Sequence, residues 1–154
     1  MRAEDMTAVF ALAELIHPGF PEDDDVLAER RDLYPAGCFV LETQAGLRGY
    51  LLSHPWRAND PPALNRTLGR IPADADTYYL HDLALHSDVR GAGAAKPLLL
   101  QLFAETRIWP EHSLVAVNGS APFWQHHGFA VLERPGLAAK LAGYGADARY
   151  MVRH

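Results

Sequence analysis

Apolar residues at Met6, Val9, Phe10, Leu12, Ala13 and Ile16 recur at steps of three and four, the period of one helix face. Pro18-Gly19 ends the run, so a helix is predicted from Met6 to His17. A second, short helix is predicted from Val26 to Asp32 behind the acidic Glu22-Asp23-Asp24-Asp25, with Leu33 to Gly37 as a break. From Cys38 the period changes. Cys38 to Thr43 and Leu47 to Ser53 are strand-like runs on either side of Gln44-Ala45-Gly46, the pattern of an antiparallel hairpin. His54 to Asp76 carries Pro55, Pro61, Pro62 and Pro72 and reads as a long surface excursion, with Leu64 to Leu68 its one helical stretch. Long excursions in compact domains are often functional, which makes Trp56 and Arg57 pocket candidates.

Tyr78 to Leu85 is an unbroken aromatic and apolar run, as a buried strand requires, and Leu98, Leu99, Leu102 and Phe103 follow it at helical spacing. The helix is predicted from Gly93 to Ile108, with Pro97 tolerated in its first turn and Trp109-Pro110 as its stop. Ser113 to Asn118 reads as a strand, Ala121 to His127 as a short helix and Gly128 to Leu132 as another strand. The tail offers Ala138 to Leu141, a turn at Gly143-Tyr144-Gly145 and a last strand, Arg149 to Val152. This order describes a mixed α+β domain built around one sheet.

Composition narrows the picture without changing it. A chain of 154 residues, 49% hydrophobic and 21% charged, suits a single domain over residues 1 to 154 with a full core. A net charge of −5 argues against nucleic acid as the main partner. No apolar run is long enough to cross a bilayer, and Arg2, Glu4 and Asp5 do not open a signal peptide, so a cytoplasmic protein with no membrane partner is expected. The one cysteine, Cys38, lies in an apolar run and reads as a buried, inert thiol.

Between the central strand and the long helix, Gly91, Ala92, Gly93, Ala94 and Ala95 have almost no side chains. A ligand can approach such a backbone, and the free N–H groups at a helix start favour an anion such as phosphate. No Lys followed by Ser or Thr completes a nucleotide-binding P-loop here. A dinucleotide fingerprint would need a small residue at Lys96 and an acidic one at Asn118.

The pattern that fits is Arg90-x-x-Gly93-x-Ala95 after Leu83-Ala84-Leu85, followed by Asn118, Ala121, Trp124 and Gly128-Phe129. In these residues the chain resembles the GNAT superfamily of N-acetyltransferases. The resemblance is close over Tyr78 to Phe129 and extends to the order of elements elsewhere. It implies a GNAT-like single domain with a mixed, mostly antiparallel central sheet of about six to seven strands flanked by about four helices. Such domains usually begin with a strand before the first helix; only Met1 to Glu4 precede it here, so that strand is expected to be short, absent or supplied differently.

The resemblance further implies acetyl-CoA as co-substrate. Its pyrophosphate would lie on the backbone N–H groups of Val89, Arg90, Gly91, Ala92, Gly93, Ala94 and Ala95. Its pantetheine arm would pair along Leu83, Ala84 and Leu85 and face Asn118, with Trp124 packing beside it. The plain alternative for the turn is a simple strand-to-helix connection.

Amine acetylation needs a base for the nitrogen, a donor for the carbonyl and a proton for the leaving thiolate. His81, with an ordinary pKa of about 6.5, suits the first task, and His81-x-Leu83-Ala84-Leu85-His86 is similar to the corresponding strand of arylalkylamine N-acetyltransferases. The alternative is a histidine that only satisfies a local hydrogen bond. Strand alternation puts Asp82 on the face opposite His81. Many family members carry a tyrosine where this chain has Trp124, which cannot protonate a thiolate; Tyr144, Tyr78, Tyr79 or solvent could substitute.

His126 and His127 lack the spacing of metal ligands, and no metal is assigned. The acidic run at Glu22 either stabilises a helix start through its dipole or draws a cationic amine. The expected function is therefore direct acetyl transfer to a primary amine, of a small molecule, in a ternary complex, with a homodimer left open. A non-catalytic acyl-CoA-binding module, a protein N-terminal or lysine acetyltransferase and, more distantly, a histidine hydrolase are the other readings.

Overall fold

A computed structural model describes residues 1–91 and 93–154. Ala92, placed by the sequence in the anion-binding turn, lies outside the described residues. The chain runs α1 (Met6–Ile16), α2 (Asp24–Leu33), β1 (Cys38–Thr43), β2 (Gly46–Trp56), β3 (Thr77–Leu85), α3 (Ala95–Glu105), β4 (His112–Ala116), α4 (Ala121–His126), β5 (Ala130–Val131), α5 (Leu137–Leu141) and β6 (Arg149–Arg153). The six strands form one mixed sheet in the order β1-β2-β3-β4-β6-β5. Only the β3–β4 pair is parallel, and α3 makes the crossover between them.

The apolar stripes read from the sequence cover the two faces of this sheet. Met6, Val9 and Leu12 of α1 and Leu27 of α2 pack with Tyr50, Leu52 and Ala84 on one face. Leu99 and Leu102 of α3 and Trp124 of α4 pack with Leu51, Tyr78, Leu80 and Leu114 on the other. Among the described residues no strand precedes α1. A short 3-10 turn over Ala3–Asp5 leads into it, and the Met1 amino group donates to Cys38 O at 2.9 Å. The Cys38 thiol is buried, and that burial pushes its pKa up to about 11.

The hairpin does not end at Ser53: β2 continues through His54 and Pro55 to Trp56, pairing with β3 from Tyr79 to Thr77. Trp56 therefore packs with Tyr79, Leu137, Tyr150 and Val152 in a third apolar cluster, and exposed Arg57 pairs with Asp74 at 2.8 Å. Neither lines the main cavity, because Pro55 takes a strand position that the proline-rich composition had argued against. Leu64 to Leu68 forms no helix; the segment is held in extended and turn conformations, with Asn65 left-handed at φ 53°.

Strand alternation, which would put Asp82 on the face opposite His81, does not hold along β3. In the β2–β3 ladder Leu52 pairs with Asp82 and Ser53 with Leu80, so His81 is the extra residue of a β-bulge. The bulge inverts the strand's faces. Tyr78 and Leu80 pack against α3, whereas Ala84, an even number of residues on, packs under α1. His81 and Asp82 consequently both line the same cavity rather than opposite faces.

Candidate functional site

The parallel pairing of β3 with β4 is registered at Tyr78, Tyr79 and Leu80, opposite His112, Ser113 and Leu114. Beyond Leu80, β3 runs on to Leu85 without registered pairing to β4, and a cavity of about 640 Å³ opens where the two strands part. Leu83 and Leu85 line it from β3, Val117 and Asn118 from the end of β4, and Trp124 from α4. Ala84 faces away into the core under α1.

The small-residue turn closes one end of this cavity. A 3-10 turn over Ser87–Val89 is followed by Gly91 and Gly93, both left-handed at φ 76° and 75°, a conformation that a side chain would strain. A Cβ at either glycine would meet nothing within 4 Å, so the backbone stands open to the cavity. Arg90 folds back, its Nε donating to Leu85 O at 2.7 Å. Lys96 N bonds to Gly93 O at 3.1 Å as α3 begins. Val89, Arg90, Gly91, Gly93, Ala94 and Ala95 all line the cavity.

On the β4 side Asn118 and Gly119 are both left-handed, at φ 53° and 67°, and Gly119 N donates to Asp147 Oδ2 at 2.9 Å. This turn carries the chain into α4, where Trp124 is buried with ring centroids 5.4 Å from Phe129 and 5.0 Å from Phe123.

Two carboxylate–imidazole pairs stand at the other end. Glu22 Oε2 lies 2.9 Å from His81 Nε2, and both side chains are nearly inaccessible. Burial opposes the Glu22 charge, but the charge and hydrogen bond of His81, the Asn65 N–H at 3.1 Å and the Arg30 guanidinium outweigh it and bring the carboxyl to about 2. Burial and then the His81 charge press His54, 6.1 Å away between ring centroids, down to about 3, so His54 is neutral. The second pair is His17 with Asp82, at 3.0 Å. Tyr144 lines the cavity too; its hydroxyl donates to Pro62 O at 2.5 Å, and burial followed by the Glu22 charge pushes it up to about 12.

Of the sequence-selected catalytic residues, His81 and Tyr144 are thus brought to one cavity. Tyr78 and Tyr79 are core residues, fully or almost fully buried, and do not line it. His126 and His127 line its rim, and no group of three potential metal ligands occurs among the described residues. The acidic run divides: Glu22 turns to His81, while Asp24 and Asp25 occupy the first turn of α2. His17 carries no signal in the sequence, and strand alternation puts Asp82 on the wrong face; the bulge that unites them leaves no mark in residue spacing.

No family profile matches the chain, and no curated protein sequence matches it. Solved structures do. A GNAT-like decarboxylase, GphF, in complex with isobutyryl-CoA superposes with a TM-score of 0.77 at 17% identity, over 99% of this chain and 96% of that one. The loading GNATL domain of CurA from Lyngbya majuscula gives 0.76 at 16%, over 99% and 93%. The ribosomal-protein-S18-alanine N-acetyltransferase from Escherichia coli gives 0.68 at 16%, over 99% and 89%. No helix among the described residues is long and apolar enough to cross a membrane. The chain has the GNAT fold, with its cavity at the divergence of β3 and β4.

Proposed function

We propose that the protein is an acyl-CoA-dependent N-acyltransferase that passes an acetyl group directly to a primary amine of a small molecule. The single observation that carries this reading is the continuity of the cavity, which joins an open glycine turn at one end to paired histidines at the other. The fold shared with an N-acetyltransferase and with a protein holding isobutyryl-CoA supports it.

The residues present fit the co-substrate. The glycine turn leaves room for a pyrophosphate on backbone N–H groups at the start of α3, where the helix dipole favours negative charge. The edge of β3 beyond Leu80, which has no registered pairing with β4, and the stretch to Asn118 offer backbone groups to a pantetheine arm, and Trp124 gives it an apolar wall. Acetyl-CoA supplies an activated acyl group and a thiolate leaving group. His81 is the base: Nε2 is turned to Glu22, which can only accept, so Nδ1 holds the free lone pair. That nitrogen is buried without a hydrogen-bond partner among the described residues, as a group awaiting a substrate proton would be.

Acceptor-dependent thiol release from acetyl-CoA across a panel of small amines and short peptides tests the reading, with calorimetry of coenzyme A binding beside it. The likeness to a GNAT-like decarboxylase favours a second reading, in which a malonyl-type thioester loses its carboxylate as CO2 and a proton replaces it. Gas release from such a thioester without any amine separates the two.

A further inference from the structure

The cavity holds a second carboxylate–imidazole pair that the base leaves without a task. His17 closes α1: its N–H bonds to Ala13 O at 2.8 Å, and Pro18 stops another turn. Its Nε2 sits 3.0 Å from Asp82 Oδ1, while Tyr50, fully buried in β2, donates its hydroxyl to Asp82 Oδ2. Burial and then the Asp82 charge keep the Tyr50 hydroxyl protonated far beyond its ordinary range. Asp82 therefore receives Tyr50 on one oxygen and faces His17 with the other. His17 Nε2 is buried beside that oxygen at salt-bridge distance without an aligned hydrogen bond; the carboxylate only accepts and favours an imidazolium, which carries a proton on Nδ1 as well as on Nε2.

The two pairs are staggered along the cavity. His81 and Glu22 stand towards Tyr144 and the Asn65 loop. Asp82, with His17 on it, is one residue further along β3 towards Leu85, whose carbonyl accepts from Arg90 of the turn. Exposure differs in the same sense, with 21% of the His17 side chain accessible against 3% of His81. With the pyrophosphate placed on the turn as proposed above, an imidazole between the turn and the base, partly accessible to water, stands on the coenzyme side of the amine.

We propose that His17, oriented by Asp82 and Tyr50, is the acid that protonates the departing thiolate, with His81 the base for the amine. This inference rests on acyl transfer from a coenzyme A thioester as proposed above. A neutral amine forms its bond to the acyl carbon as the carbon–sulfur bond breaks. His81 Nδ1 takes one proton from the nitrogen, and His17 gives its Nδ1 proton to the sulfur. Water then reloads His17 and relieves His81, so one proton has passed from amine to thiol.

The electrostatics agree. Burial and the Arg90 charge oppose the imidazolium, but the adjacent Asp82 carboxylate, with Glu22 behind it, outweighs both and raises the His17 pKa. Tyr144, at about 12 with its hydroxyl committed to Pro62 O, is the poorer proton source, and the Trp124 indole is none.

His17→Gln tests this by a titration that needs no amine. The near-ultraviolet absorbance of the thiolate reports the pKa of enzyme-bound coenzyme A. An imidazolium beside the sulfur holds that pKa below the value for free coenzyme A, and His17→Gln returns it to the free value. With acetyl-CoA and an accepted amine, His17→Gln lowers kcat on the order of 100-fold and removes the alkaline limb of the pH profile. Asp82→Asn moves that limb to lower pH, because the imidazolium loses its counter-charge. An unchanged thiol titration in a His17→Gln protein that still binds coenzyme A overturns the role of His17 and leaves the site reading standing. A wild-type protein that binds no coenzyme A overturns both.

Discussion

Glu22 and His81, 59 positions apart in the chain, meet at 2.9 Å in a pair almost closed to solvent. The pair joins the segment before α2 to the bulge of β3, and Glu22 also receives the Asn65 N–H, so one carboxylate fixes both the ring and the loop beside the cavity.

Replacing it should be felt in stability with a defined pH window. The Glu22 carboxyl lies at about 2 against an ordinary 4.5, so its contribution is complete above about 4.5 and is lost as pH falls towards 2. Glu22→Gln should cost on the order of 2 kcal/mol at neutral pH. Urea unfolding across pH reads it: the gap to wild type should close between about 4.5 and about 2, and a gap independent of pH would mean that the Glu22 charge adds nothing to the fold.

His54 and His112 act over a different interval. Burial holds them at about 3 and about 4, below the ordinary 6.5, so the unfolded chain binds more protons than the folded one in that range. Stability is complete above about 6.5 and falls as the medium is acidified through the folded values. The melting temperature of wild type should decline with acid from about 6.5, and His54→Gln should flatten that slope whatever its cost at neutral pH.

At the glycine turn, strain and charge can be separated. Gly93→Ala and Gly93→Asp share the penalty of a left-handed side chain, about 1 kcal/mol, and neither Cβ meets a neighbour. Only Asp brings negative charge to the N-terminus of α3. Calorimetry should find coenzyme A bound on the order of 100-fold more weakly by Gly93→Asp than by Gly93→Ala; equal affinities would move the pyrophosphate away from this turn.

Trp124 tests the wall of the cavity. Packed edge-on to Phe129, it should cost about 3 kcal/mol or more when changed to Ala, measured by denaturant unfolding. Trp124→Phe should retain most of that stability and the coenzyme A affinity, since the indole N–H is given no task.

What the sequence made legible was local. The strand from Tyr78 to Leu85, the bare turn and the helix after it are contiguous, and the positions of Gly93, Asn118 and Trp124 on the cavity follow from that continuity. The catalytic end is not contiguous. His17 sits where α1 stops, Glu22 in a loop and Asp82 after a bulge. The bulge adds one residue to β3 against β2, a register property that only pairing between strands defines. For the same reason Trp56, read as loop beside prolines, is core: its partners Tyr79, Tyr150 and Val152 come from β3 and β6.

Transfer of an acyl group from a coenzyme A thioester to an amine is read by thiol release from acetyl-CoA with and without acceptor. Release should depend on the amine, saturate with it and fall on the order of 100-fold in His81→Ala while coenzyme A binding persists. Tight coenzyme A binding with no amine-dependent release from any member of a broad panel would contradict it.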